Sequence, residues 1–130
     1  MRGTSRRGGR GGASQGGGGR SAAVVFTTAG SRAEAERLAS VLVEERLAAC
    51  VNLIAPLTSI YRWRGAVERA REVLLVIKTR RVLVPQVAAR VQALHSYEVP
   101  EVIALPVVAG ARSYLAWLFG ETAVAARRCR

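Results

Sequence analysis

Seven residues hold the scarcest chemistry in this chain. His95-Ser96-Tyr97-Glu98-Val99-Pro100-Glu101 contains the only histidine, one of three tyrosines and two carboxylates. An unperturbed imidazole titrates near pH 6.5, so its neutral form is available at neutral pH either to ligate a metal or to exchange a proton. A single histidine holds a metal weakly, because a site needs several ligands converging at fixed distances. Cys50 is the natural second ligand, since soft sulfur and imidazole together suit Cu(I) or zinc. His95 and Cys50 are therefore the candidate metal ligands, with copper or another divalent cation as the expected ion. Cys50 also has a plainer reading as a small buried hydrophobe within Leu-Ala-Ala-Cys-Val. Lys78 is the only lysine in an arginine-rich chain. Its compact ammonium at the end of an apolar run makes it a candidate partner for Glu101.

The elements that position these groups follow from hydrophobic period and punctuation. Ala22 to Thr28 is a short apolar run fit for a central strand. Ser31 and Glu34 have capping-box spacing, and Ala35, Leu38, Ala39 and Leu42 recur at helical intervals, so a helix is expected over Arg32–Glu45. Leu47 to Trp63 is rich in β-formers and contains Pro56, which demands a bend, a bulge or an edge position. Arg64-Gly65 makes the turn, and Ala66 to Thr79 returns with an alternating outer half and an apolar inner half. Val84, Val87, Ala88, Val91 and Leu94 then predict a second helix that ends near His95. Val102 to Val108 reads as a strand that Pro106 confines to an edge or ends early, and Ser113 to Phe119 reads as a C-terminal helix. The expected fold is α+β, a ferredoxin-like split β-α-β arrangement (βαββαβ plus a helix) with an antiparallel sheet and a long central hairpin.

The hairpin length bears on assembly. Fourteen or so extended residues reach roughly 46 Å at about 3.3 Å each. A compact domain of about 100 residues is only about 35 Å across. A tip bearing Ile60, Tyr61 and Trp63 is thus expected to project, with exposed strand edges that a second copy would cover. The expected partner is another subunit of the same chain. The alternative is a tip that curls back over its own sheet.

Charge excludes less than it first suggests. The net charge of +11 is concentrated in Arg2, Arg6, Arg7, Arg10 and Arg20 at one end and Arg127, Arg128 and Arg130 at the other, leaving +3 for residues 21–126. Residues 1–20 form a Gly/Arg-rich tail expected to be disordered, residues 21–120 the folded domain, and residues 121–130 a basic C-terminal tail. An RNA-recognition domain needs exposed aromatics on its middle strands, and Val73-Leu-Leu-Val-Ile77 has none, so nucleic-acid contact is expected only weakly, through the Gly/Arg tail. No catalytic spacing, P-loop or dinucleotide fingerprint is present, and no enzyme is expected. No apolar run is long enough for a membrane span. The expected location is cytoplasmic, with organelle targeting by the N-terminal tail left open.

Five blocks in order, Leu47-Ala-Ala-Cys-Val-Asn52, Ser59-Ile-Tyr-Arg-Trp-Arg-Gly65, Glu72 to Thr79, His95 to Glu101 and Tyr114-Leu-Ala-Trp117, resemble the CutA divalent-cation tolerance family. The resemblance implies a ferredoxin-like homotrimer whose long hairpins pair between subunits, a role in the response to metal ions, and no enzymatic activity. It also implies that Tyr61, Trp63, Lys78, Tyr97, Glu101 and Trp117 line an inter-subunit cleft, which on an alternative reading binds a small ligand as the PII-type signalling trimers do. Copper-binding members use a first-strand cysteine and adjacent histidines. Here those positions hold Thr27 and Leu94-His95, and Ser96 stands where proline is usual, so one of three ligands remains.

Overall fold

The computed structural model describes residues 21–122. The expectations for residues 1–20, and for the basic end with Cys129, lie outside the described residues. Four strands and three helices alternate: β1 (Ala22–Ala29), α1 (Arg32–Glu44), β2 (Cys50–Trp63), β3 (Ala66–Arg80), α2 (Val84–Leu94), β4 (Ile103–Pro106) and α3 (Arg112–Glu121). A single 3-10 turn, Arg81–Leu83, leads into α2. The strands form one antiparallel sheet in the order β2-β3-β1-β4, as the split β-α-β reading requires.

Helix α1 starts where the sequence places it. Ser31 is the N-cap, and its Oγ accepts the Glu34 N–H at 3.1 Å. Its inward face, Ala35, Leu38 and Leu42, packs with Val87 and Val91 of α2 on the sheet residues Val25, Ala29, Val73, Leu75 and Ile77. Alternation along each strand sends the neighbouring side chains to the opposite face. Register puts Val24, Phe26, Ile103 and Leu105 beside Val76, Leu74 and Ile54 there. Ile54, Ile103 and Leu105 are each more than half exposed. Among the described residues only α3 covers part of this second face: Leu118 and Phe119 pack with Ala22 and Ala49. Beneath it the Arg80 guanidinium lies 5.1 Å from the Phe119 ring and donates to Phe119 O and to Thr122 Oγ1. Ordered packing consequently continues past Gly120 to Thr122, which is buried.

Pro56 resolves as both an edge position and an irregularity. β2 is an outer strand, and its register with β3 shifts between Ile54 and Leu57. Pro106 likewise ends the other outer strand, β4. The turn needs left-handed backbone at two successive residues: Arg64 has φ 51° and Gly65 φ 84°. This matches the twist of a two-residue hairpin and favours glycine. Strands of 14 and 15 residues make the expected long arm. Its tip does not stand clear of the rest of the chain, however, because Arg64 Nη2 meets Glu98 Oε1 at 2.9 Å. A two-stranded ribbon twists more than a wide sheet, and the β2 irregularity adds a bend; both bring the tip toward the loop after α2.

Candidate functional site

Helix α2 ends at Leu94, and residues 95–102 carry the chain from the helix layer to the edge strand. His95 is the pivot of this connection. Its side chain is fully buried; Nε2–H donates to Thr28 O at 2.7 Å, and Nδ1 accepts the Tyr97 N–H at 3.0 Å. These two partners select the neutral tautomer with its proton on Nε2. Nδ1 also lies 3.4 Å from Glu34 Oε2.

Glu34 ties the first turn of α1 to the same loop. Its carboxylate accepts Ser96 N–H at 2.8 Å and Ser96 Oγ–H at 3.0 Å. Burial tends to raise the pKa of this carboxyl. The Ser96 N–H and hydroxyl and the Gly30 N–H outweigh burial and hold it below the ordinary carboxylate range. Ser96 thus has a local consequence, since a proline at this position would have no N–H to give.

Glu72 is the second anchor. Although charged, it is only 8% exposed, and a buried carboxylate requires partners. Tyr97 Oη–H donates to its Oε2 at 2.6 Å and Ser59 Oγ–H to its Oε1 at 2.6 Å. Burial first, and then the bond and charge of Glu72, push the Tyr97 phenol well above its ordinary range. Glu101 is raised too, by burial first and by the Glu72 carboxylate second. The phenol approaches so close to the backbone that a Cβ on Gly30 would stand 3.2 Å from Tyr97 Oη.

The structure therefore divides the expected site residues among separate places. Tyr97 and Glu101 both lie within electrostatic range of Glu72, and Tyr61 within that of Tyr97. Trp63 is at the hairpin tip, 5.0 Å from the Arg64 guanidinium. Trp117 is half exposed on α3 against Tyr114, with ring centroids 5.5 Å apart. Lys78 faces Cys50 across the β2–β3 ladder and hydrogen-bonds Asn52 Oδ1, so the expected Lys78–Glu101 pairing gives way to a cross-strand one. Register likewise keeps His95 and Cys50, the expected joint metal ligands, apart within one chain. Cys50 lies level with Lys78 and Val24, whereas His95 reaches Thr28, four residues or about 13 Å farther along β1. Both His95 nitrogens are already engaged, and the Lys78 ammonium stands 3.9 Å from Cys50 Sγ. Among the described residues no three His, Cys, Asp or Glu side chains converge on a metal position. Thr27, where the resemblance implies a cysteine in copper-binding members, is buried, and its Oγ1 has no partner among the described residues.

Glu34 and Glu72 are the residues that the sequence leaves hidden. Glu34 matches a capping box whose carboxylate is expected to turn back on Ser31, and Glu72 ends an alternating stretch that looks solvated. A signal for Glu72 was its position at the start of the continuous apolar half of β3, where a charge needs a partner.

The family model for CutA1 divalent ion tolerance protein matches residues 23–121. A Thermus thermophilus relative, "Divalent-cation tolerance protein CutA", is 53% identical over 98 residues, covering 75% of this chain and 95% of its own. "Protein CutA, chloroplastic" of Arabidopsis thaliana is 46% identical over 98 residues, covering 75% of this chain and 54% of its own. The solved CutA1 structure from Oryza sativa superposes with a TM-score of 0.78 at 42% identity, covering 80% of this chain and 95% of that one.

Proposed function

The chain belongs to the CutA1 divalent ion tolerance family, and from that premise we propose that it acts in the response to divalent metal ions as a homotrimer, without a catalytic step. The uncovered apolar face of the sheet carries this reading. Ile54, Ile103 and Leu105 are more than half exposed on it, and along the hairpin Tyr61 is exposed on one face and Ile60 and Val67 on the other. A contiguous apolar surface of this kind, next to long outer strands, calls for another subunit. No helix among the described residues is long and apolar enough to cross a membrane, and we place the protein in the cytoplasm, with an organelle open to it through residues 1–20.

Direct copper or divalent-cation binding at His95 or Cys50 is weak in this proposal. Ligation at His95 has to displace a backbone hydrogen bond, and the Lys78 ammonium repels a cation from Cys50. Calorimetric titration of Cu(II), and of Cu(I) under reducing conditions, into wild type, His95→Ala and Cys50→Ser tests this. The expectation is weak binding that is the same in all three, together with a loss of several kcal/mol of stability in His95→Ala, which strands Thr28 O and the Tyr97 N–H. Tight binding abolished by either substitution contradicts it.

The cluster of Tyr97, Glu72, Glu101 and Tyr61 favours a second reading, a signalling or scaffold trimer that holds a small ligand in its inter-subunit clefts. Lys78 and Trp117 would reach such a cleft from neighbouring subunits, since within one chain Lys78 lies six residues along β3 from Glu72 and Trp117 is on α3.

A further inference from the structure

On the helix side of the sheet, at its β4 edge, lies a recess of about 340 Å³ lined by Ala23, Arg81, Val84, Pro85, Ala104, Leu105 and Pro106. Its origin is legible in the register. Ala23 pairs with Pro106, and Ala104 pairs with Val25, whose side chain lies in the helix-covered core. The sheet thus presents two alanines and a proline to the first turn of α2, where larger side chains would close the gap.

The polar group at this recess is a cation. Arg81 is exposed, and among the described residues its guanidinium has no hydrogen-bond or ion-pair partner. Helix α2 begins beside it with no side-chain cap and no acidic residue in its first turn. The positive end of the helix dipole therefore adds to the arginine without local neutralisation. An apolar recess with one unpartnered guanidinium is complementary to an aliphatic body that carries a carboxylate, which arginine grips in bidentate fashion. Its volume is at the bottom of the range for ligand sites, which limits the occupant to a small molecule.

We infer that this recess binds a small branched aliphatic carboxylate, with its hydrocarbon against Val84, Pro85 and Pro106 and its carboxylate on Arg81. The site is independent of the metal reading. It opens on the helix side of the sheet, opposite the apolar face proposed for subunit packing.

The probe is 4-methylpentanoate, titrated into the full chain by calorimetry and followed by amide NMR shifts, with 4-methylpentanamide as the uncharged control. Wild type is expected to bind the acid saturably with shifts centred on residues 81–85 and 104–106. Arg81→Gln, which leaves the recess open, is expected to weaken binding roughly tenfold or more through loss of a charge-assisted pair. Ala104→Leu, which fills the recess from an exposed edge position, is expected to abolish it while circular dichroism stays unchanged. The amide should bind wild type no better than the acid binds Arg81→Gln. Absence of saturable binding to wild type, or equal affinity in Arg81→Gln, overturns the inference.

Discussion

The Tyr97 hydroxyl donates to Glu72 Oε2 at 2.6 Å, joining the loop after α2 to the middle of the long hairpin. Because Ser59 supplies a second short bond to the same carboxylate, a buried charge becomes the point at which three segments of chain are held together. Tyr97→Phe removes one charge-assisted hydrogen bond and is expected to lower stability by about 1.5–3 kcal/mol in urea denaturation. Gly30→Ala presses a methyl against the same phenol and should destabilise wild type more than it destabilises Tyr97→Phe, which lacks the crowded oxygen. Additive effects of the two changes would show that Gly30 and Tyr97 are not coupled.

Thr27 offers an opposite case. Its Oγ1 is buried without a partner, and an orphaned hydroxyl carries a desolvation penalty. Thr27→Val, of nearly the same shape, is expected to raise stability by about 1 kcal/mol, read as a higher urea midpoint at unchanged slope. A lower midpoint would mean that the hydroxyl is satisfied in solution.

The two perturbed carboxyls act in opposite senses on acid stability. Glu34 is depressed in the folded state, so its contribution is present above its ordinary value of 4.5 and is lost as the pH falls through the folded value. Glu101 is raised, so its contribution is present below 4.5 and is lost as the pH rises through the folded value. In denaturation profiles over about pH 3 to 8, Glu34→Gln should lower stability at neutral pH and flatten the acid limb. Glu101→Gln should raise stability at neutral pH, with the gain shrinking as acid protonates the wild-type side chain. A Glu101→Gln chain less stable than wild type at neutral pH would contradict the assigned environment.

Fold and site were unequally legible in the sequence. The order of strands and helices followed from period and punctuation, because Ser31, Gly65, Pro56 and Pro106 act locally on the backbone. The singular residues His95, Tyr97 and Glu101 were visible as types, but their partners were not. Those partners, Thr28 O, Glu34 and Glu72, are distant in sequence and are set by register and by where α2 ends. The expected pairings of His95 with Cys50 and of Lys78 with Glu101 are not made within one chain: residue chemistry indicates what can bind, and the ladder determines what meets. The hairpin tip is a third instance, since its length was readable while the Arg64–Glu98 contact depends on twist.

In the proposed trimer the uncovered sheet face and the long hairpin are subunit surfaces. Light scattering coupled to size exclusion, across a dilution series of the full chain, tests it most directly. The expected result is a mass three times that of the 13.9 kDa chain, reduced toward the single-chain mass when Ile103 and Leu105 are both changed to Glu. A wild-type mass of 13.9 kDa at every concentration would contradict it.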